Sequence, residues 1–294
     1  MRAWTRRLGR FFPARPMPGA AGDPGLFGPG STAWRIARER TVLAGGPAAL
    51  LLQVAHPLIG EGVRAHSGFA ADPLRRLRGT LDAVLTVTFG DLAQVRAAGD
   101  LVARRHRPVR GTLPDDGASL PAGTPYSARD PELALWVFAT LVWTALEVTE
   151  ILLRPVTPGE RDAYYRDMTQ FARLFDVTEE VLPADYDALE RYVHEQIHTV
   201  LDVGSTAHLI SGQILAPDPP LVARPLRGVP SLLAAGLLPP TLRDAYALPW
   251  RRREQLAFAV LRRVVRILVP VLPGSVRYWP HYRVARERLA GAAV

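Results

Sequence analysis

Apolar residues recur at helical spacing through most of the chain, and no segment sustains the alternation of apolar and polar residues that a half-buried strand requires. A first helix is predicted to begin at the Ser31/Thr32 cap, and Pro47 suits the first turn of an apolar second helix, with Pro57 as a possible kink. Further helices are predicted at residues 74–105, 131–153, 157–175, 183–204, 250–272 and 281–291. Asp130 is predicted to start the second of these, and Thr157 and Glu160 to form a capping box at the start of the third. The expected fold class is therefore all-α.

Proline and glycine mark the segments that are not expected to be helical. Residues 1–30 are rich in both and are predicted to form an arm, which leaves residues 31–294 as one multi-helix domain. Residues 107–130 contain seven Pro or Gly residues, and a loop of this length in a compact domain indicates a lid or a pocket wall. Residues 216–240 are predicted to form proline-rich connections.

The longest apolar stretch, residues 133–153, is long enough to cross a bilayer. It contains Glu147 and Glu150, so a buried core helix is the better prediction. The N-terminus has a twin-arginine pair, Arg6 and Arg7, but no apolar segment follows it. We therefore expect a cytoplasmic protein without a transmembrane segment.

The composition narrows the possible chemistry. Apolar residues make up 48% of the 294 residues, which is enough for a core with a pocket inside it. Cysteine is absent, which excludes disulfides, thiolate catalysis, iron–sulfur clusters and cysteine-ligated haem. All basic residues are arginines, which excludes lysine amine chemistry. The net charge is +8, but the arginines are mixed with acids and no nucleic-acid motif is present, so no nucleic-acid partner is expected.

Histidines must supply any soft metal chemistry, and two of them form a known pattern. His194, Glu195 and His198 match H-E-x-x-H on a predicted helix, where a spacing of four places both imidazoles on one face, with Glu195 as general base. Asp202, one turn later, could be a third ligand. A zinc hydrolase is one hypothesis, and a polar helix face that carries the pattern by chance is the alternative.

His106 stands differently, at the end of a long predicted helix and just before Pro108. A neutral imidazole at such a junction can bind haem iron axially, while its other nitrogen bonds a carbonyl or a carboxylate. The alternative is a surface histidine near a chain turn.

Four strings, taken in order and spacing, resemble the blocks of one family. They are LLLQVAHPLIGEGVRAHSGF at residues 50–69, DPLRRLRGTLDAVLTVTFGD at 72–91, HRPVRG at 106–111 and YSARDPELALWVFATLVWTALEVTEILLRPVTPGERDAYY at 126–165. Together they resemble the MpaB-like oxygenases and the rubber oxygenase (latex-clearing protein) catalytic domain. The resemblance covers residues 35–200 well and the C-terminal third more loosely.

This resemblance implies a single all-α domain with a globin-like helical arrangement around a haem b pocket. His106 of the HxxVRG block would be the proximal axial ligand. Arg76 and Thr80, one helix turn apart, would face the pocket, where Arg76 would pair with a propionate or orient oxygen. Their alternatives are a surface arginine and a helix-interior threonine that bonds its own backbone.

The same resemblance extends to the segment around the first histidine. His56 would line the pocket, and Gly60, one turn later, would leave room for a flat macrocycle. Glu61 would supply the distal carboxylate base that rubber oxygenases use. The His66–Ser67 pair is interpreted as structural, at a helix end.

The implied activity is that of an oxygenase or other haem-dependent oxidoreductase, which uses molecular oxygen or peroxide on a small or medium hydrophobic substrate. Two departures from the family pattern stand out. No lysine is present to serve as the distal sixth ligand of some rubber oxygenases, and Phe138 stands where many relatives have histidine. A non-catalytic haem-binding member of the family therefore remains a second alternative.

Overall fold

The computed structural model describes residues 13–66, 73–114, 119–215 and 227–291, with the side chains of residues 73–77 excepted. It is all-α, and most of the described residues lie in helices. The fourteen α-helices of the described residues are α1 Thr32–Ala37, α2 Gly46–Ala55, α3 Pro57–His66, α4 Pro73–Phe89, α5 Leu92–His106, α6 Pro131–Val148, α7 Pro158–Arg173, α8 Tyr186–Thr199, α9 Ser205–Leu215, α10 Val229–Leu237, α11 Pro240–Ala245, α12 Arg252–Val271, α13 Gly274–Arg277 and α14 Pro280–Ala290.

Three shorter elements complete the described chain. A 3-10 helix, Arg40–Gly45, precedes α2, and a π-helical turn, Thr149–Leu153, extends α6. Strands β1 Arg110–Thr112 and β2 Pro125–Ser127 pair antiparallel, with Gly111 opposite Tyr126. This hairpin lies within the segment that was predicted to be a long loop.

Side-chain caps fix the starts of several helices, as the sequence predicts. The Ser31 hydroxyl accepts the Trp34 amide at the start of α1, and the Thr157 hydroxyl accepts the Glu160 amide at the start of α7. Asp130 likewise caps α6. Each of these oxygens satisfies an amide that has no partner within its helix.

The helix predicted across residues 74–105 is in fact two helices, α4 and α5. Asp91 starts α5 with a capping box, because its carboxylate accepts the Gln94 amide at 2.8 Å and the Gln94 side chain accepts the Asp91 amide. Gly79 of α4 lies beside Arg105 of α5, so the two helices run antiparallel. The N-terminal half of α4 therefore lies next to the C-terminal end of α5.

A second prediction is wrong in the C-terminal third, where residues 216–240 were expected to be connections. Helix α10 occupies part of this segment, and α11 begins at its end. Both helices carry proline in their first turn. A proline in that position costs no helical hydrogen bond, so it starts these helices rather than breaking them.

Helix α6 is the centre of the core. Trp136, Ala139, Val142 and Leu146 are fully buried within it. The apolar stretch Pro131–Leu153 passes a length and composition test for a membrane span, yet 72% of its most apolar window is buried inside the protein. That burial is the behaviour expected of a core helix.

The described part of the N-terminal segment, residues 13–31, has no helix and is bonded to the helical body. The Ala20 amide donates to the Asp91 carboxylate at 2.6 Å. Buried Arg288 of α14 donates to the carbonyl oxygens of Asp23 and Phe89 at 2.7 and 3.0 Å. These bonds hold the segment against α4, α5 and α14.

Candidate functional site

The chain bends by 101° at His56, where the helical segment that contains α2 gives way to α3. His56 is extended, and Pro57 has no amide hydrogen to continue the helix. Donors from three other elements bond carbonyls near the end of α2: the Tyr246 hydroxyl to Leu51 (2.8 Å), the Trp136 indole to Leu52 (3.2 Å) and the Asp202 amide to Ala55 (2.8 Å). The bend is therefore held in place by tertiary bonds.

The His56 imidazole lies inside this bend. Only 7% of the residue is exposed, and its Nδ1 atom is buried without a hydrogen-bond partner. Burial lowers the pKa of His56 to about 4, against the opposing effect of the Asp130 carboxylate. The ring is therefore neutral at pH 7 and carries an unused buried nitrogen, which is the state in which an imidazole can bind a ligand.

Gly60 does not have the role that the sequence suggested. A Cβ atom at this position would lie 2.7 Å from the Val54 carbonyl oxygen and 3.6 Å from a methyl group of Thr206. The absence of a side chain at Gly60 allows α3 to pack closely against the end of α2 and against α9. It leaves no room for a macrocycle at this point, so that expectation is wrong.

Glu61 follows in α3 and forms an ion pair with Arg64. Both carboxylate oxygens accept hydrogen bonds from the guanidinium at 2.7 Å, and Glu61 is only 5% exposed. Burial raises the pKa of the Tyr126 phenol, and the nearby Glu61 charge raises it further, while Arg64 opposes the rise. Glu61, Arg64 and Tyr126 thus form one polar cluster at the surface of α3.

The β-hairpin places Tyr126 on this cluster. The Tyr126 ring packs where a Cβ on Gly62 would be 3.5 Å away and a Cβ on Gly111 would be 2.7 Å from the hydroxyl, so only glycine fits at Gly111. The His66 Nε2 atom is bonded to the Arg110 carbonyl oxygen at 3.1 Å. This bond gives His66 the structural role expected for it.

His106 is the last residue of α5 and is half-buried. Its carbonyl oxygen accepts the Val109 amide at 2.9 Å, which turns the chain toward β1. Val109 then lies beside Gly62 of α3. The HxxVRG segment therefore connects the end of α5 to the helix that carries Glu61.

The other two predicted site residues lie on α4. Thr80 is exposed and follows Gly79, which lies beside Arg105, so Thr80 is at the same end of the helix pair as His106. Arg76 lies in the same helix, but its side chain is outside the described residues. Thr80 thus lies on the helix that packs against the one ending at His106, whereas His56 and Glu61 lie at and after the junction of α2 and α3.

The H-E-x-x-H pattern lies on the outer face of α8. His194, Glu195 and His198 are exposed, whereas Val193 and Ile197 face the core. Within the residues that the structure describes, no three His, Asp or Glu side chains converge as a metal site. The third ligand that the zinc hypothesis needs is therefore not found among the described residues.

Sequence reasoning missed Arg64, Tyr126 and His281. Arg64 stands three residues after Glu61, a spacing at which helical side chains meet, so the sequence did contain a signal for that pair. Tyr126 could not be found in this way, because it reaches α3 through the hairpin. His281 is 7% exposed and lines a cleft of about 440 Å³ with residues 13–16, Arg40, Trp279 and Pro280, and nothing local to it in the sequence indicates this.

The donor set fits a cofactor that brings most of its own ligands. A haem iron needs only one or two imidazoles from the protein, and the structure offers the half-buried His106 and the neutral His56 with its free buried nitrogen. A metal ion held only by side chains would need the converging donors that the described residues lack.

Comparison with known proteins finds a family match over most of the chain. Residues 34–267 match the family described as ER-bound oxygenase mpaB/B′/rubber oxygenase, catalytic domain. Uncharacterized proteins of Mycobacterium bovis and Mycobacterium tuberculosis are each 32% identical over 239 residues, which cover 77% of this chain and 89% of theirs. No solved structure matches the chain significantly. The chain belongs to the mpaB and rubber oxygenase catalytic-domain family.

Proposed function

We propose that the chain is a haem b-dependent oxygenase that acts on a small or medium hydrophobic organic substrate, with molecular oxygen or peroxide as co-substrate. Membership of an oxygenase family supports the reaction class. The observation that supports a haem cofactor is the packing of α4 on α5 and of Val109 on α3. This packing brings α4 and α3 next to the segment that contains His106, which supports His106 as the residue that would hold the iron.

His106 would hold the iron from the proximal side. It lies at a helix end, where the chain turns away, and the residue is half-buried. Arg76 would pair with a haem propionate, because guanidinium is a permanent cation with a planar set of donors. When bound, the haem supplies the redox and oxygen chemistry, while the protein supplies position and polarity.

His56 and Glu61 would act on the side of the pocket formed by α3. Neutral His56 can offer its buried nitrogen to a polar atom of the co-substrate or of the cofactor. Glu61 would supply the carboxylate on this side, and two hydrogen bonds from the Arg64 guanidinium fix the orientation of its oxygens.

Absorption spectroscopy of the purified chain, expressed with a supply of haem, tests the proposal. We expect a Soret band and about one iron per chain, and we expect His106→Ala to abolish or shift the band because the axial ligand is lost. His198→Ala is the matched control, since His198 is exposed on α8, and its spectrum should equal that of the unmodified protein.

Three results would contradict the proposal in different ways. A protein without a Soret band and with stoichiometric zinc would return the function to His194, Glu195 and His198. A band that is unchanged in His106→Ala would move the axial role to His56. A normal band with no turnover under any electron donor or peroxide would identify a non-catalytic haem binder.

A further inference from the structure

Helix α12 carries an apolar face that the other described residues leave uncovered. Of the thirteen large apolar side chains that are exposed in the described residues, eight lie between residues 256 and 276. The others are scattered singly, which is normal for a protein surface. The eight, here called the exposed stripe, are Leu256, Val260, Val264, Ile267, Leu268, Val271, Leu272 and Val276, with exposed fractions of 38–76%.

The opposite face of α12 is firmly attached, so the stripe is fixed in position. Phe258 is buried, and its ring packs so tightly on Gly236 of α10 that a Cβ there would be only 2.2 Å away. Val265 packs against the main core. Arg266 donates to the carbonyl oxygens of Ile151, at 3.1 Å, and of Glu150, both within the π-helical turn.

Arginines flank the stripe along the helix. Arg252, Arg262 and Arg263 are exposed, and at about 100° per residue Arg263 lies within about 60° of both Val260 and Ile267 around the helix axis. Residues 251–277 contain seven arginines and one acidic residue, Glu254, and so carry most of the net charge of +8 of the chain. The helix therefore combines a large apolar face with a cationic edge.

We propose that α12 docks the protein on the surface of an anionic phospholipid bilayer. A helix with one apolar face and arginines on its polar edge lies in the plane of the interface, with the apolar side chains in the acyl boundary and the guanidinium groups among the phosphates. A second copy of the same face would place like charges near one another, whereas anionic headgroups neutralise them. The charge pattern thus favours a lipid surface over self-association.

Flotation of the full chain with lipid vesicles tests this proposal independently of haem. We expect binding to vesicles of phosphatidylcholine mixed with phosphatidylglycerol, and much weaker binding to pure phosphatidylcholine, at about 0.1 M salt. The double variant Val260→Glu/Ile267→Glu should bind at least tenfold more weakly, since it places two charges in the acyl boundary. Leu209→Glu is the control, because Leu209 is 59% exposed on α9 and lies outside the stripe.

A second variant tests the charges without touching the apolar contacts. Each arginine near an anionic surface contributes a factor of about five in partitioning, so Arg262→Gln/Arg263→Gln should weaken binding by about 25-fold, and added salt should reduce the difference. Both positions are exposed, so circular dichroism should show an unchanged fold.

The proposal fails if the unmodified protein ignores anionic vesicles, or if Val260→Glu/Ile267→Glu binds them as well as the Leu209→Glu control. It also fails if light scattering shows a dimer that Val260→Glu/Ile267→Glu converts to a monomer while no vesicle binding is seen. That last result would assign the exposed stripe to a second copy of the chain.

Discussion

Replacing His56 with phenylalanine should remove a pH dependence of stability that the bend between α2 and α3 creates. Burial lowers the pKa of His56 from 6.5 to about 4 in the folded protein. When the pH falls below 6.5, His56 therefore becomes protonated in the unfolded chain but stays neutral in the folded protein. The contribution of His56 to stability is fully present above pH 6.5 and is lost progressively as the pH falls toward 4.

The size of the effect follows from the two pKa values. One pKa unit corresponds to about 1.4 kcal/mol, so the full loss is roughly 3 kcal/mol, and about 2 kcal/mol of it falls between pH 7 and pH 5. His56 is 7% exposed, so solvent screening reduces this figure little. Phenylalanine keeps the size of the ring but cannot take up a proton.

Urea denaturation at pH 7 and at pH 5 measures this loss directly. The difference in unfolding free energy between the two pH values should be about 2 kcal/mol smaller in His56→Phe than in the unmodified protein. His56→Gln, which is polar but does not titrate, should show the same reduction. If either variant retains the full pH response, burial does not lower the pKa of His56 in the folded protein, and the bend does not create this pH dependence.

Two further predictions concern the framework around the site. Arg277→Gln should lower the free energy of unfolding by about 3 kcal/mol in urea denaturation, because it removes the donors at 2.7 and 2.8 Å from the buried Glu39 carboxylate. Adding Glu39→Gln should recover part of this loss. A double variant in which the two effects simply add would contradict the prediction. Gly236→Ala should cost about 1–3 kcal/mol in thermal denaturation, since its methyl group would collide with the Phe258 ring, and Gly236→Ala/Phe258→Leu should be more stable than Gly236→Ala alone.

Local signals in the sequence were sufficient for most of the helical framework. Ser31, Asp130 and Thr157 cap helices as predicted, because a cap depends only on neighbouring residues. The break at residues 90–91 was missed, although Asp91 and Gln94 form a capping box. The apolar periodicity on either side of this break concealed it, since one long helix and two antiparallel helices bury the same kinds of residue.

The candidate site was less accessible to sequence reasoning, because its geometry depends on contacts between distant segments. Pro57 did indicate the bend at His56, but the loss of the histidine's hydrogen-bond partner follows only from tertiary burial. Gly60 shows the same limit. The sequence explained this glycine by an open space, and the structure explains it by the close approach of the Val54 carbonyl.

The zinc hypothesis for His194 and His198 and the haem hypothesis for His106 differ in how far the helical pattern of the sequence could test them. In α8 the core positions Leu189, Val193 and Ile197 follow one another at intervals of four, so His194 and His198 lie about 100° and about 140° from the middle of that apolar line. Their exposure was therefore implied by the sequence, and it already counted against zinc. No such apolar line predicts the surroundings of His106, because it is the last residue of its helix. The environment of its ring depends on the packing of α4 and of the segment that follows. The role of a histidine at a helix end must therefore be tested by the absorption spectrum of the protein, whereas the exposure of a histidine inside an amphipathic helix can be predicted from its neighbours in the sequence.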